Sequence, residues 1–269
     1  MRLGISSSLG YVPPAQWAKT LVELGCKSVV FPVDSTADEA LIDEYVKEAT
    51  ANDLLIAEVG IWRNALAADL EERKTNLEYS INQLKLAEKV GARCAVNVAG
   101  AFGPRWDGGY KENFTEDAFN KTVEMIRTVI DAVNPVNTTF SIESMPWMIP
   151  TGPEEYLKLI EAVDRKQFSV HLDIINMINS ADKYFNRDEF LEHCFDVLGD
   201  KIVSCHLKDI KLLDGYTFQL KECACGDGDF NIKRYIELAS SVDPDMPMII
   251  EHLPDDNAYR ESTQYVLSL

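Results

Sequence analysis

Four short apolar runs in this sequence each finish on a residue that can bind a metal ion or move a proton. Residues 138–144 carry Glu143, residues 168–175 carry Asp173, residues 202–207 carry His206 and residues 247–253 carry Glu251. In a chain with 44 acidic side chains, any one of these would be read as a helix cap or the partner of a Lys. Four in succession, with helical segments between them, describe one site assembled from neighbouring strands. Three carboxylates and one imidazole form a hard, oxygen-rich donor set. Such a set suits one divalent metal ion, with Mn²⁺ preferred and Mg²⁺, Co²⁺ and Zn²⁺ compatible.

Side chains alternate along a strand, which assigns the neighbours of these four to faces. His171 shares a face with Asp173, one layer deeper. It either donates a hydrogen bond to a ligand or substrate, or is a satisfied core histidine. Lys208 shares the face of His206, nearer the mouth. It either polarises a substrate oxygen or pairs in solvent with Asp209. His252 follows Glu251 and is expected to face outward; His193 falls in a helical segment and is expected to be peripheral. Trp62, Asn64, Phe102, Trp106, Trp147 and Met148 follow strands three, four and five. Aromatic side chains in such loops stack on the C–H faces of sugars. Trp62 and Trp106 are read as pocket walls and Met148 as loop packing. Cys223 and Cys225 flank Ala224 without a second ligand cluster, and are read as loop thiols rather than a metal or redox pair.

The elements that must position these groups alternate strictly. Strands are expected at residues 3–8, 28–33, 54–59, 93–99, 138–144, 168–175, 202–207 and 248–253, each followed by a helix. Pro13 and Pro14 open the first helix and Gly25 ends it. A long amphipathic helix over residues 69–90 carries Leu70, Leu77, Ile81, Leu84 and Ala87 on one side, and Gly91 closes it. Thr115 caps the helix that follows the loop at 100–113, and residues 208–230 read as another long loop. Strict alternation implies parallel strands joined by crossover helices. Eight such units in 269 residues give an α/β fold, a closed (β/α)8 TIM barrel forming a single domain over residues 1–269. A doubly wound open sheet would favour a Gly-rich phosphate turn after an early strand, and none follows strand one. Barrels of this kind place their chemistry at the C-terminal ends of the strands. Glu143, Asp173, His206 and Glu251 fall there, on consecutive strands five to eight.

Composition narrows the partners. The net charge is −18, from 26 basic and 44 acidic residues. That excludes sequence-independent grip on a nucleic-acid backbone and disfavours an anionic membrane surface. The N-terminus lacks the apolar core of a signal peptide and no run is long enough to span a bilayer, so a cytoplasmic location is expected. Six cysteines without a CxxC pair are expected to be reduced thiols. The aromatic loop at 106–110 marks a candidate homo-oligomer contact.

The stretches Ser141-Ile-Glu143, His171-Leu-Asp173, His206-Leu-Lys-Asp209, Gly226-Asp-Gly-Asp229 and Ile250-Glu251 resemble the sugar isomerase/epimerase superfamily with xylose-isomerase-like barrels. The resemblance covers almost the whole chain. It implies a small-molecule sugar substrate and a single divalent metal held by Glu143, Asp173, His206 and Glu251. It also implies that Glu143 and Glu251 act as acid and base on opposite faces of a planar enediolate. Two groups working on opposite faces epimerise a carbon; one group doing both jobs isomerises aldose and ketose. The chain departs from the family pattern at Asn176, where an imidazole is often found, and at Lys208 and Lys211, near which an Arg often follows the strand-seven histidine. Substrate contacts are therefore expected from Asn176, His171 and Lys208, and specificity from the loop at 208–230. No phosphate cradle is evident between strands seven and eight, which favours a free sugar or a polyol-derived ketone. Three rivals share the barrel or the site. A lyase or dehydratase acting on an inositol-derived ketone would use the same enediolate. An endonuclease that cuts at abasic sites needs further histidines for its trinuclear zinc centre, where this chain offers Glu58, Asn97 and Asn176. A non-catalytic metal or sugar binder would not need both Glu143 and Glu251.

Overall fold

A computed structural model describes residues 1–6 and 12–269. The strands are β1 (Arg2–Ile5), β2 (Ser28–Val30), β3 (Leu55–Gly60), β4 (Cys94–Asn97), β5 (Thr139–Glu143), β6 (Phe168–Leu172), β7 (Ile202–Leu207), β8 (Asp209–Leu212), β9 (Leu220–Cys223) and β10 (Pro247–Ile250). The helices are α1 (Pro14–Glu23), α2 (Glu39–Ala51), α3 (Leu70–Val90), α4 (Glu116–Val133), α5 (Pro153–Val163), α6 (Ile174–Met177), α7 (Ala181–Phe185), α8 (Arg187–Leu198), α9 (Ile232–Val242) and α10 (Asp256–Leu267). Eight parallel strands pair in the order β1-β10-β7-β6-β5-β4-β3-β2. The two ends of that order meet. The Lys27 N–H donates to the Leu3 carbonyl at 2.7 Å, and the Ser28 hydroxyl to the Arg2 carbonyl at 2.8 Å. Gly4 lies at this seam, where a Cβ would stand 2.5 Å from the Ser28 carbonyl oxygen. The result is a nearly closed TIM barrel in a single domain.

The strands form where the sequence is apolar and β-branched. Every residue of β4, β6 and β10 is buried, as expected for parallel strands with helices outside and packed side chains within. The helices present one apolar face to them; α4, for example, buries Val123, Ile126, Val129 and Ile130. Their ends are set by short polar side chains and left-handed residues. Asp38, Asp69 and Thr115 each accept a first-turn N–H, and Gly91 closes α3 at φ 70°. Among the described residues, no helix is long and apolar enough to cross a membrane.

Several expectations are corrected. Of the expected first strand, β1 covers up to Ile5, and Ser7 and Ser8 lie outside the described residues. Strand six stops at Leu172 rather than 175. The Asp173 carboxylate accepts the Asn176 N–H at 3.0 Å and turns the chain into α6. The segment before α8 thus holds two short helices, α6 and α7. The strand expected at 248–253 is β10, which stops at Ile250, with His252 in left-handed backbone at φ 56°. The expected loop at 208–230 contains an antiparallel hairpin, β8–β9. Leu70, placed on the buried stripe of α3, is 70% exposed at the first turn, while Leu84 and Ala87 are fully buried.

Candidate active site

The barrel brings the four strand-end residues together. Glu143 is the last residue of β5, Asp173 follows β6, His206 is the penultimate residue of β7 and Glu251 follows β10. All four are buried, and each offers one ligand atom within 4.8 Å of the others. His206 lies between them: its Nδ1 is 3.0 Å from Glu143 Oε1, 3.1 Å from Glu251 Oε2 and 3.9 Å from Asp173 Oδ2. Lys208, which the strand parity also turns inward, places Nζ 2.6 Å from both Asp173 Oδ2 and Glu251 Oε1. It does not pair with Asp209, whose carboxylate faces the other way and accepts the N–H groups of Ile210, Gly226, Gly228 and Phe230.

A further carboxylate lies beneath this layer. Glu58 of β3 is 2% exposed, and its Oε2 stands 3.5 Å from His171 Nδ1 and 3.6 Å from His206 Nε2. The His171 and His206 rings meet edge to face with centroids 4.1 Å apart. His171 is therefore a deep neighbour of the site that reaches substrate only through His206. Glu58 Oε2, His206 Nε2 and both His171 nitrogens are buried without a hydrogen-bond partner. In the sequence, Glu58 stands out only as a position without the histidine of a trinuclear zinc centre. The signal for its role was a lone charge in the otherwise apolar run Leu-Ile-Ala-Glu-Val.

The charges tune one another unequally. Burial pushes the Glu143 carboxyl up to about 8, with the Glu251 and Asp173 charges acting in the same direction against His206. Burial opposes ionisation of Glu251 too, but His206 and Lys208 draw it down to about 2. Burial, reinforced by the His206 charge, lowers His171 to about 4. Burial disfavours a charged His206, yet the carboxylates of Glu251, Glu143 and Glu58 outweigh it and raise the imidazole well above its ordinary value. Glu58, Glu143, Asp173 and Glu251 thus face one ammonium and one readily protonated imidazole. With all four ionised and His206 neutral, as a metal ligand must be, Lys208 leaves three negative charges in a buried cluster without compensation. One divalent cation would offset two of them, and the donor set of Glu143, Asp173, His206 and Glu251 has the chemistry to hold it.

The cluster forms the floor of a cleft of about 530 Å³. Trp62, Trp106 and Trp147 line it, and the Trp62 ring lies 6.5 Å from that of His206. Asn176 lines it as well, its amide donating to Glu143 Oε1 at 3.3 Å. Arg105 stands at the mouth but is committed to Asp107 at 2.6 Å. Asn64 is not a wall; it ties loops together through the Ala101 carbonyl and the Leu66 N–H. Met148 is buried packing. His252, expected to face away, lies on the rim instead. Its left-handed backbone swings the ring to Glu222, 3.0 Å from Nδ1, and to Glu251, 3.4 Å from Nε2. Glu222 reaches the cleft from β9 and had no sequence signal while that hairpin read as loop. His193 pairs with Glu154 on the exterior of α8. The cysteines are free, five buried and Cys223 half-buried, and Cys223 and Cys225 belong to neither metal-competent group found among the described residues.

Comparison with known proteins bears on the chain as a whole. A family model described as xylose isomerase-like TIM barrel matches residues 18–269. No curated protein sequence matches the chain. Among solved structures, the probable 3-DHS dehydratase of Bacillus anthracis superposes with a TM-score of 0.75 at 15% identity, covering 100% of this chain and 99% of its own. D-Psicose 3-epimerase of Clostridium cellulolyticum H10, solved with D-tagatose, gives 0.72 at 14% identity, covering 100% and 97%. A magnesium complex from Mycobacterium smegmatis gives 0.69 at 16% identity, covering 96% and 89%. At these identities the likeness is one of fold.

Proposed function

Since the chain belongs to the xylose isomerase-like TIM barrel family, we propose that it is a divalent-metal-dependent isomerase or epimerase acting on a ketose or related sugar. The observation that carries this reading is the pair Glu143 and Glu251, which flank His206 Nδ1 at 3.0 and 3.1 Å within one buried, metal-competent cluster. A bound cation at Glu143, Asp173, His206 and Glu251 would polarise a ketose carbonyl and acidify the adjacent C–H. Glu251, held ionised, is suited to remove that proton at its carboxylate oxygen. Glu143, on the other side of His206 Nδ1, is suited to return one. Two carboxyls placed on either side of one centre can divide the base and acid roles. Lys208 keeps Glu251 oriented by an ion pair, and the three tryptophans wall the cleft for C–H stacking.

A second reading keeps the same first step. If the carbon beyond the deprotonated one bears a hydroxyl, loss of water gives an unsaturated ketone, and the enzyme is a dehydratase. The similarity to the Bacillus anthracis dehydratase favours keeping it.

The experiment is a panel of unphosphorylated ketoses and inosose-type ketones incubated in D₂O with Mn²⁺ and followed by NMR. Deuterium uptake next to the carbonyl, with an epimer or aldose appearing, is the expected result. Glu143→Gln and Glu251→Gln should each reduce it about 10²-fold or more. An enone product would select the dehydratase. Full exchange in both variants would remove the acid/base assignment.

A further inference from the structure

A second cavity, of about 520 Å³, adjoins the acidic cleft and shares Pro146, Trp147, Asn176 and Glu222 with it. Beyond that threshold its character changes. Ile175 and Ile178, from the chain just after β6, form one wall; Ile210, Phe218 and Leu220, from the β8–β9 hairpin, form the other. Asn179 also lines it, with its amide committed to the Pro146 carbonyl at 3.1 Å. No Lys or Arg is among the described lining residues, and Glu222 puts a carboxylate at the threshold. A phosphate or carboxylate entering here would lose its hydration and find no Lys or Arg in the lining, and the nearby Lys208 and His252 are already paired with Glu222 at 3.3 and 3.0 Å. An apolar group would gain by leaving water. Phe218 is 43% exposed, yet its ring is held edge-on by Tyr184 with centroids 6.3 Å apart. Phe218 and the Trp147 side chain, which borders both spaces, therefore offer aromatic surface to whatever occupies the cavity.

We propose that this annex is a subsite for an uncharged aromatic substituent carried by the sugar whose reactive end lies against Glu143 and Glu251. The substrate class is then an aryl-bearing, unphosphorylated sugar ketone rather than a bare monosaccharide. This rests on the reading of the cleft as a sugar site. The shared threshold argues for a substituent of the same molecule over a separate partner, because a group attached to the sugar reaches the annex directly through it.

The test is calorimetric titration of the full chain with phenyl β-D-glucoside and methyl β-D-glucoside, each with Mn²⁺ present and after chelation. The phenyl compound should bind at least about tenfold more tightly. Phe218→Asn and Leu220→Asn should erase that preference while leaving the methyl compound unchanged. Both positions lie on the hairpin, and a thermal melt checks that the variants fold. None of the four candidate metal ligands lines the annex, so the preference should survive chelation. Failure of metal binding therefore leaves this test intact, and failure of the preference leaves the metal reading intact. Equal affinities, no saturable binding of the phenyl compound, or a preference that both variants retain would overturn the proposal. So would a dimer in light scattering that Phe218→Asn dissolves and that excludes the phenyl compound, because a second copy would then be the occupant.

Discussion

Glu58 is the residue on which the site's geometry depends without contact with a reacting atom. A buried carboxylate 3.6 Å behind His206 Nε2 favours a proton on that nitrogen and leaves Nδ1 to face the carboxylates. Partners of this kind orient a metal-binding imidazole and raise its basicity. Glu58→Gln keeps the volume and removes the charge. It should lower Mn²⁺ affinity about 10- to 100-fold by calorimetry, with little change in the melting temperature of the chelated protein. Unchanged affinity would make Glu58 a packing residue. That Glu143, Asp173, His206 and Glu251 meet in one cluster was legible in the sequence because each ends an apolar run. Glu58 was less so, because this lone charge lies inside its apolar run rather than at the C-terminal end. His252 was misplaced for a different reason: its orientation follows from φ 56°, which no neighbouring residue type announces.

At the scale of elements, one buried side chain, Asp209, ties the start of the hairpin to its return loop. Asp209 accepts N–H groups from Ile210 at 2.8 Å, Phe230 at 2.9 Å, and Gly226 and Gly228 at 3.1 Å each. Both glycines in the Gly-Asp-Gly stretch are required. Gly226 has φ 96°, and a Cβ on Gly228 would stand 2.3 Å from Asp209 Oδ1. Asp209→Ala leaves buried donors without an acceptor and should destabilise the fold by about 3 kcal/mol, measured by urea unfolding. Glu88 performs a similar task outside the site, accepting the N–H groups of Val136, Asn137 and Thr138 ahead of β5. Partial burial opposes its ionisation, but these donors hold its carboxyl below the ordinary value of 4.5. A depressed folded value means the contribution is present above 4.5 and is lost as pH falls through the folded value. Glu88→Gln should therefore lower the melting temperature at pH 7, with the gap to wild type closing in acid; a gap that persists in acid would contradict this. The barrel strands and most helix ends were legible from apolar runs, caps and glycines. The β8–β9 hairpin was not: Asp-Ile-Lys-Leu and Leu-Lys-Glu-Cys are too short and too polar to separate from loop without knowing that they pair.

At the scale of the molecule, the barrel gathers buried carboxylates at one end of a chain that already carries a net charge of −18. Like charges in a low-dielectric site oppose folding unless a cation accompanies them. Lys208 supplies one positive charge, paired with Asp173 and Glu251 of the four candidate ligands, which leaves the cluster short of balance. A divalent ion that binds only the folded chain stabilises it by mass action, about 2.7 kcal/mol at a hundredfold excess over its Kd. The measurement that tests this most directly is metal content, by elemental analysis of protein purified without added metal or chelator, then reloaded and dialysed. About one equivalent of Mn²⁺, Mg²⁺, Co²⁺ or Zn²⁺ per chain, lost in Asp173→Ala, is the expected result. Absence of bound metal even after reloading, or a trinuclear zinc stoichiometry, would contradict the single-metal site.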